Sequence, residues 1–366
     1  MARRKQSPDF VIFAVAMTIL AIGMVMVYSA SSIKSEMQFK DALYFLKRQA
    51  GWAVVGLIGM LFLMNFDYWH LRRYAIPIVV FSFFLLAIVL VPGIGREING
   101  ARRWVGFGSY AIQPSEMAKL TLVIYLAHFL TRGAGRVQDF WRGVIPVLAI
   151  LGAAGLLIMG EPDLGTAVAL AGTVFLMLFV SGARPAHLVG LALSALPVLG
   201  AAIFSADYRR RRFFAFLNPW ADPSDTGYHI IQALYALGSG GLFGVGLGRS
   251  RQKLFYLPEA HTDFIFAIIA EELGFIGAAV ILLLFFVLIW RGYKVAISAP
   301  DAFASVLAAG LTTMIALQLI INIGVVTASL PITGIPLPFI SSGGSSLVFT
   351  MMGVGILLNI SKYSVV

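Results

Sequence analysis

The chain has 366 residues, 59% of them hydrophobic and 12% charged, with a formal net charge of +10 and no cysteine. So few charges cannot cover a water-facing surface, so the composition excludes a soluble globular fold and predicts one that faces lipid. The absence of cysteine excludes disulfides, thiolate metal sites and a cysteine nucleophile. With most of the chain in hydrocarbon, the positive excess points to anionic membrane lipids or an anionic substrate and away from nucleic acid.

After Met1-Ala-Arg-Arg-Lys5 a long apolar run begins without a small-residue cleavage site, which reads as a retained first span. Runs able to cross about 30 Å of hydrocarbon as helices lie at 10–30, 50–66, 74–93, 115–130, 144–160, 164–181, 187–205, 263–290, 303–326 and 344–360. A helix satisfies its own backbone in lipid and the alternating pattern of a membrane barrel is missing. The expected fold is therefore an all-α integral membrane protein of about ten transmembrane helices, one polytopic domain over 1–366, with both termini on the same side. Arg3, Arg4, Lys5, Arg72, Arg73, Arg132, Arg136, Arg142, Arg184, Arg291, Lys294 and Lys362 fall on the N-terminal side. The positive-inside rule makes that side cytoplasmic. The opposite side keeps Lys34, Lys40, Lys47, Arg48, Arg96, Arg102, Arg103, the run Arg209 to Arg212, Arg249, Arg251 and Lys253, chiefly in longer loops. Their persistence there suggests an anionic ligand.

Three segments are too long or too irregular to be plain connections. Residues 94–113 combine Gly, Arg and Trp, and 206–262 form a large extracytoplasmic loop between the seventh and eighth spans. Thr327 to Ser346 contains Pro331, Pro336, Pro338, Gly334, Gly343 and Gly344 and cannot be a regular helix throughout. Irregular backbone at membrane depth has to face protein or a wet cavity.

Ionisable residues near or inside the spans are the candidates for chemistry. Pro114 suits a first helical turn, and Gln113, Glu116 and Lys119 then share a face at a spacing of three, as a structural ion pair or as a cavity whose lysine meets a phosphate. Asp263 sits where the long loop enters the eighth span, placed either to cap that helix or, partly desolvated, to act as a general base. Glu271 and Glu272 point about 100° apart on a helix and read as separate structural contacts. Glu161-Pro162-Asp163 reads as a tight turn in which a carboxylate caps the next helix. Arg209 to Arg212 suit a solvated face, lipid headgroups or a pyrophosphate. The five histidines show no metal-ligand spacing, and neither a phosphate-binding P-loop nor a G-x-S-x-G elbow is present.

A series of motifs, in order along nearly the whole chain, is similar to that of the SEDS family of shape, elongation, division and sporulation proteins. They are Asn99-Gly-Ala-Arg-Arg-Trp104, Gln113-Pro-Ser-Glu-Met-Ala-Lys119, Glu161-Pro-Asp-Leu-Gly-Thr166, Asn218-Pro-Trp220, Gly227-Tyr-His-Ile-Ile-Gln232, the glycine-rich 238–248, Thr262-Asp-Phe-Ile-Phe266, Glu271-Glu-Leu-Gly274 and Asn322-Ile-Gly324. Gln252-Lys-Leu-Phe-Tyr-Leu-Pro258 resembles the division and sporulation branch, and Ser341-Ser-Gly-Gly-Ser345 lacks the tyrosine usual in the family there. The resemblance implies a peptidoglycan glycosyltransferase that polymerises lipid II, an undecaprenyl-pyrophosphate disaccharide-pentapeptide, at the outer face of the bacterial cytoplasmic membrane. It implies a class B penicillin-binding protein transpeptidase as partner. It also implies Asp263 as the essential carboxylate, with substrate-binding roles for Glu116, Lys119, Arg102, Arg103, Arg48, Asp163, Gln113 and Ser345. These residues establish no cofactor, and a divalent Mg or Mn ion is an option without a visible ligand set. A lipid-linked-precursor flippase and a non-catalytic transpeptidase scaffold are the competing readings.

Overall fold

The computed structural model describes residues 6–98, 100–107, 110–133 and 135–364. Arg3, Arg4 and Lys5, used above for orientation, and Asn99, which opens a motif, lie outside these residues.

Twelve α-helices are found among the described residues: α1 (Phe10–Phe39), α2 (Tyr44–Asn65), α3 (Tyr68–Val89), α4 (Pro114–Leu130), α5 (Ile145–Gly160), α6 (Leu164–Val180), α7 (Pro185–Phe204), α8 (Asp207–Leu217), α9 (Tyr228–Ser239), α10 (Ile265–Ile297), α11 (Ala302–Val326) and α12 (Gly344–Ser361). A helix stands at each of the ten expected spans. Eight are long and apolar enough to cross a membrane, with α5 counted from Phe140. The other two, α4 and α6, have 17 residues each, about 25 Å of rise, a little short of the hydrocarbon thickness.

The two extra helices, α8 and α9, lie inside the 206–262 segment, which is folded rather than open. Residues 94–113 hold a further departure from an all-helical reading: an antiparallel meander of β1 (Arg96–Ile98), β2 (Ala101–Phe107) and β3 (Tyr110–Ile112). Arg96 pairs with Trp104 and Val105 with Ile112. Alternation of side chains along Arg102-Arg-Trp-Val favours a strand, and short strands can pair outside the hydrocarbon without violating the backbone rule of lipid.

The interior is built around α11 and α12, most of whose residues are buried, whereas α7 buries only Leu188 and turns the rest of its apolar surface outward. Small residues bring helices together where lipid gives no hydrophobic drive. The α2–α12 contact illustrates this, since a side chain at Gly355 would come 2.5 Å from the Met60 carbonyl oxygen. The glycine-rich 238–248 segment has a different task. Gly274 (φ 68°) breaks α10, and the backbone of 241–246 fills the gap, with Val245 and Gly246 N–H donating to the carbonyls of Glu271 (2.9 Å) and Glu272 (3.1 Å). Phe275 and Ile276 N–H donate back to Gly241 (2.9 Å) and Leu242 (3.2 Å). Four of the backbone groups freed at this kink are thereby paired.

Below that kink a buried ionic cluster ties the loop to the bundle. Lys253 Nζ lies 2.8 Å from Glu272 Oε1, both side chains nearly inaccessible, and Ser29 Oγ donates to the same carboxylate at 2.6 Å. Glu271 turns the other way, accepting from Ser250 Oγ and from Arg251 N–H at 2.9 Å. Their angular offset predicts wholly separate contacts, but the two adjacent glutamates meet at Ser250, whose hydroxyl donates to Glu271 and whose N–H donates to Glu272 Oε1 at 3.3 Å.

Candidate active site

The turn 258–264 carries the site. Glu259 adopts φ 52°; its carbonyl accepts from Thr262 N–H (3.1 Å) and Phe264 N–H (3.3 Å), and its carboxylate accepts from Thr262 Oγ1 (2.9 Å). The irregular segment 327–343, together with Asn322 of α11, clamps this turn from the other side. Ser341 Oγ donates to the Thr262 carbonyl at 2.7 Å, Ser342 N–H to that of His261 at 2.9 Å, and Asn322 Nδ2 to that of Asp263 at 2.8 Å. Prolines and glycines in 331–344 serve this purpose: they keep the chain extended so that it can brace the turn.

The main chain of Asp263 is therefore fixed while its carboxylate is not. No donor among the described residues is hydrogen-bonded to it, and the N-cap of α10 is Phe264, so capping is not its task. Its Oδ2 faces Gly334 (φ 76°), where a β-carbon would come to 3.4 Å. Burial, with the negative charges of Glu259 and then Asp163, pushes the carboxyl up to about 7, against the opposing pull of Arg212 and Arg103.

Two of those charges, Arg103 and Asp163, belong to one connected group. Arg103, on β2, donates from Nε to the Glu161 carbonyl (2.7 Å) and from Nη2 to the Pro162 carbonyl (2.5 Å), and its Nη1 lies 3.8 Å from Asp163 Oδ2. Asp163 caps α6 by accepting from Thr166 N–H (3.1 Å) and Thr166 Oγ1 (2.9 Å), as the tight-turn reading expects. Gln113 Nε2 reaches the same carboxylate at 3.4 Å, and Gln113 N–H donates to Ser345 Oγ at 2.9 Å. Arg103, Asp163, Gln113 and Ser345 are thus one connected group, and two of its charges act at Asp263. Within it Glu161 is fully buried with neither carboxyl oxygen hydrogen-bonded. Burial first, and then Asp163, push it up to about 8, so it is held as a neutral acid at pH 7, which removes most of the cost of burying it unpaired.

The remaining candidates are placed differently. Glu116 and Lys119 form a sealed i,i+3 pair at 2.7 Å, each side chain 4% exposed, so the lysine's charge is already met. Arg102 points from the other face of β2 to Glu97 at 3.1 Å in an exposed pair. Arg48 is half-buried on α2 and acts on His261 rather than on Asp263. Arg212, exposed on α8, acts on Asp263 through its charge instead, an assignment that the four-arginine run could not make for one residue. Glu259, Gly334 and Asn322 were not singled out as site residues. For Asn322 a signal exists, a polar amide inside an apolar span. Among the described residues no three His, Asp or Glu side chains converge as a metal-ligand set.

A polytopic helical membrane protein with a freely presented, partly desolvated carboxylate flanked by arginines is the class that fold and site define. The family model of the cell cycle proteins FtsW, RodA and SpoVE matches residues 9–365, and the chain belongs to that family, the SEDS proteins. Stage V sporulation protein E of Bacillus subtilis is 51% identical over 364 residues, covering 100% of both chains. The probable peptidoglycan glycosyltransferase FtsW of Geobacter metallireducens is 46% identical over 353 residues, 96% of this chain and 94% of that one. Among solved structures, a chain of a peptidoglycan synthase complex described as coordinating polymerization and crosslinking superposes with a TM-score of 0.79 at 30% identity, covering 97% of each chain. The rod shape determining protein RodA of Thermus thermophilus gives 0.72 at 31% identity, covering 98% of each. The likeness to the division and sporulation branch rests on these sporulation and FtsW relatives.

Proposed function

We propose that the chain is a peptidoglycan glycosyltransferase that joins lipid II units into β-1,4 glycan, with Asp263 as general base, in cell division or shape determination. The observation that carries this reading is the Asp263 carboxylate, fixed through its main chain, bound by no donor among the described residues and pushed up to about 7. A base of that strength is matched to neutral pH. Its oxygen takes the proton of the acceptor's N-acetylglucosamine 4-hydroxyl while that oxygen attacks the anomeric carbon of the donor's N-acetylmuramic acid. The bond from that carbon to the pyrophosphate breaks, its electron pair leaves with the phosphate, and the configuration inverts from α to β.

Negative charge grows on the leaving pyrophosphate, and Arg103 and Arg212 are the cations that already act at Asp263. Lys119, paired with Glu116, is not free for that role. A polyprenyl tail needs hydrocarbon and a sugar-phosphate needs polar groups, so the recess belongs at the outer face of the bacterial cytoplasmic membrane, with both termini inside. A class B penicillin-binding protein transpeptidase is the partner, in keeping with the synthase complex of the structural relative. A divalent Mg or Mn ion would arrive with the pyrophosphate.

The test is glycan synthesis from lipid II by the purified protein, alone and with its transpeptidase, beside Asp263→Asn. Polymer from the parent and a fall of about 10²–10⁴-fold in the variant are expected for a lost general base. Normal synthesis by the variant sinks the assignment. A flippase or a scaffold would give no polymer in either case.

A further inference from the structure

A groove of about 550 Å³ opens between α8 and the turn that leads into α9. Arg210, Arg211 and Phe214 line it from α8, and Asp222, Asp225 and Thr226 line it from the turn. Its volume falls within the range of about 300–1,000 Å³ usual for small-ligand sites. The groove neighbours the candidate base through both helices. Arg212, the next residue on α8, acts on Asp263 and on His229 of α9, and the His229 ring lies 5.9 Å from that of Phe264. Adjacent residues on a helix point about 100° apart, so α8 offers Arg212 to Asp263 and Arg211 to the groove.

The two walls carry opposite charge and do not close on each other. Arg210 turns back to Asp207 on its own helix, 3.2 Å away in an exposed pair. Asp222 turns back to Thr226, accepting from its Oγ1 at 3.1 Å. Arg211 and Asp225 have no ion-pair partner among the described residues. The acidic wall is held in place: Gly227 N–H donates to the Asp222 carbonyl at 3.0 Å, and a β-carbon at Gly227 would overlap the Pro219 carbonyl oxygen, so the turn packs against 219–221 where only glycine fits. A wholly basic groove would suit a simple anion, and bridged walls would suit no ligand. Opposed walls left unbridged suit a ligand that carries both signs, its carboxylate meeting a guanidinium and its ammonium a carboxylate.

We infer that this groove is a subsite for a zwitterionic peptide borne by the substrate, in which Arg211 binds a peptide carboxylate and Asp225 a peptide ammonium. The inference rests on the glycosyltransferase reading and deepens it. The pentapeptide of lipid II hangs from the N-acetylmuramic acid whose anomeric carbon reacts, ends in a carboxylate and carries an amino group. A site for it has to adjoin the reacting carbon, and α8 spans that step. Arg211 and Asp225 then select the peptide's charges and take no part in the chemistry at Asp263.

The probes are lipid II and the same lipid with its peptide removed, bound to the Asp263→Asn protein in phosphatidylcholine nanodiscs. Intact lipid II should bind roughly tenfold tighter or more, as charge-assisted bonds allow. Adding Arg211→Gln with Asp225→Asn should remove most of that advantage and leave the affinity for the peptide-free lipid unchanged, whereas Arg211→Lys with Asp225→Glu should keep most of it. Both residues are exposed, so these variants should fold, which thermal unfolding checks. Acetylating the peptide's amine should weaken binding to the protein that keeps Asp225 and not to its Asp225→Asn counterpart. Equal affinity for the two lipids, or an advantage that survives the neutral pair, overturns the subsite. Loss of the advantage in nanodiscs containing phosphatidylethanolamine, whose headgroup is also zwitterionic, assigns the groove to phospholipid and overturns it too. Unchanged lipid binding with weaker association of the transpeptidase would make the groove a protein-docking surface, with the same result. Failure of the polymerase reading would show separately, as no glycan from the protein with Asp263 intact while the peptide advantage stands.

Discussion

Asn322 donates its Nδ2 to the main-chain carbonyls of both Asp263 and Ile335, each at 2.8 Å, and so ties the turn before α10 to the extended segment before α12. One amide inside α11 thus fixes the backbone from which the candidate base projects. Asn322→Leu keeps the volume but leaves two carbonyls without a donor, and a buried group left unsatisfied costs about 1–3 kcal/mol. The expected outcome is a lower Tm and a fall in kcat of roughly tenfold or more, since small misplacement of a catalytic group is expensive, with KM changed little. Thermal unfolding in detergent beside a lipid II polymerisation assay checks it, and an unaltered kcat would remove Asn322 from the positioning of Asp263.

As the proposed general base Asp263 acts in its charged form, and its pKa is raised, so on that proposal the active form is lost as pH falls through about 7. The expected profile of kcat/KM rises about tenfold per pH unit below that value and levels above it. Glu259 is one of the causes of the raised value, so Glu259→Gln, which keeps the hydrogen bond from Thr262, moves the inflection to lower pH. A profile flat from pH 5 to 8 would mean that another group takes the proton.

The ten hydrophobic runs were legible because hydropathy over about 20 residues reports a helix in lipid directly. The Thr327–Ser346 break was legible from its prolines and glycines, and the Glu161–Asp163 turn from its capping pattern. What the sequence left hidden depends on contacts between distant segments. Nothing local to Lys253 separates it from a solvated loop lysine, yet it is sealed against Glu272 and Ser29. Nothing local to Asp263 shows that its side chain does not cap α10 while its main chain is braced; that comes from the segments converging on its turn. A span-oriented reading treats 94–113 as loop, and so misses that the meander turns Arg103 toward the Glu161 and Pro162 carbonyls and Arg102 toward Glu97.

The Lys253–Glu272 pair offers a stability test separate from catalysis. Lys253→Met leaves a carboxylate buried with Ser29 as its remaining hydroxyl partner, and breaking such a pair costs about 3–5 kcal/mol. Lys253→Met combined with Glu272→Leu should recover much of the lost Tm, because a well-packed apolar replacement avoids the stranded charge. In both variants the pH inflection of any remaining activity should stay near that of the parent, since neither residue is among the charges acting on Asp263. A double variant no more stable than the single one would contradict the stranded-charge account.

Arg103 performs two tasks that substitution can separate. Its fork holds the Glu161 and Pro162 carbonyls, and its charge lowers the pKa of Asp263. Arg103→Lys keeps the charge and loses the fork, so kcat should fall while the pH inflection stays in place. Arg103→Gln loses both, and removing a cation that stabilises the carboxylate moves the inflection upward, opposite to the shift expected for Glu259→Gln. The two variants therefore bracket the parent on the pH axis if all three residues share one recess. Shifts in the same direction, or none, would place Arg103 outside the field of the base and return the leaving-group role to another cation.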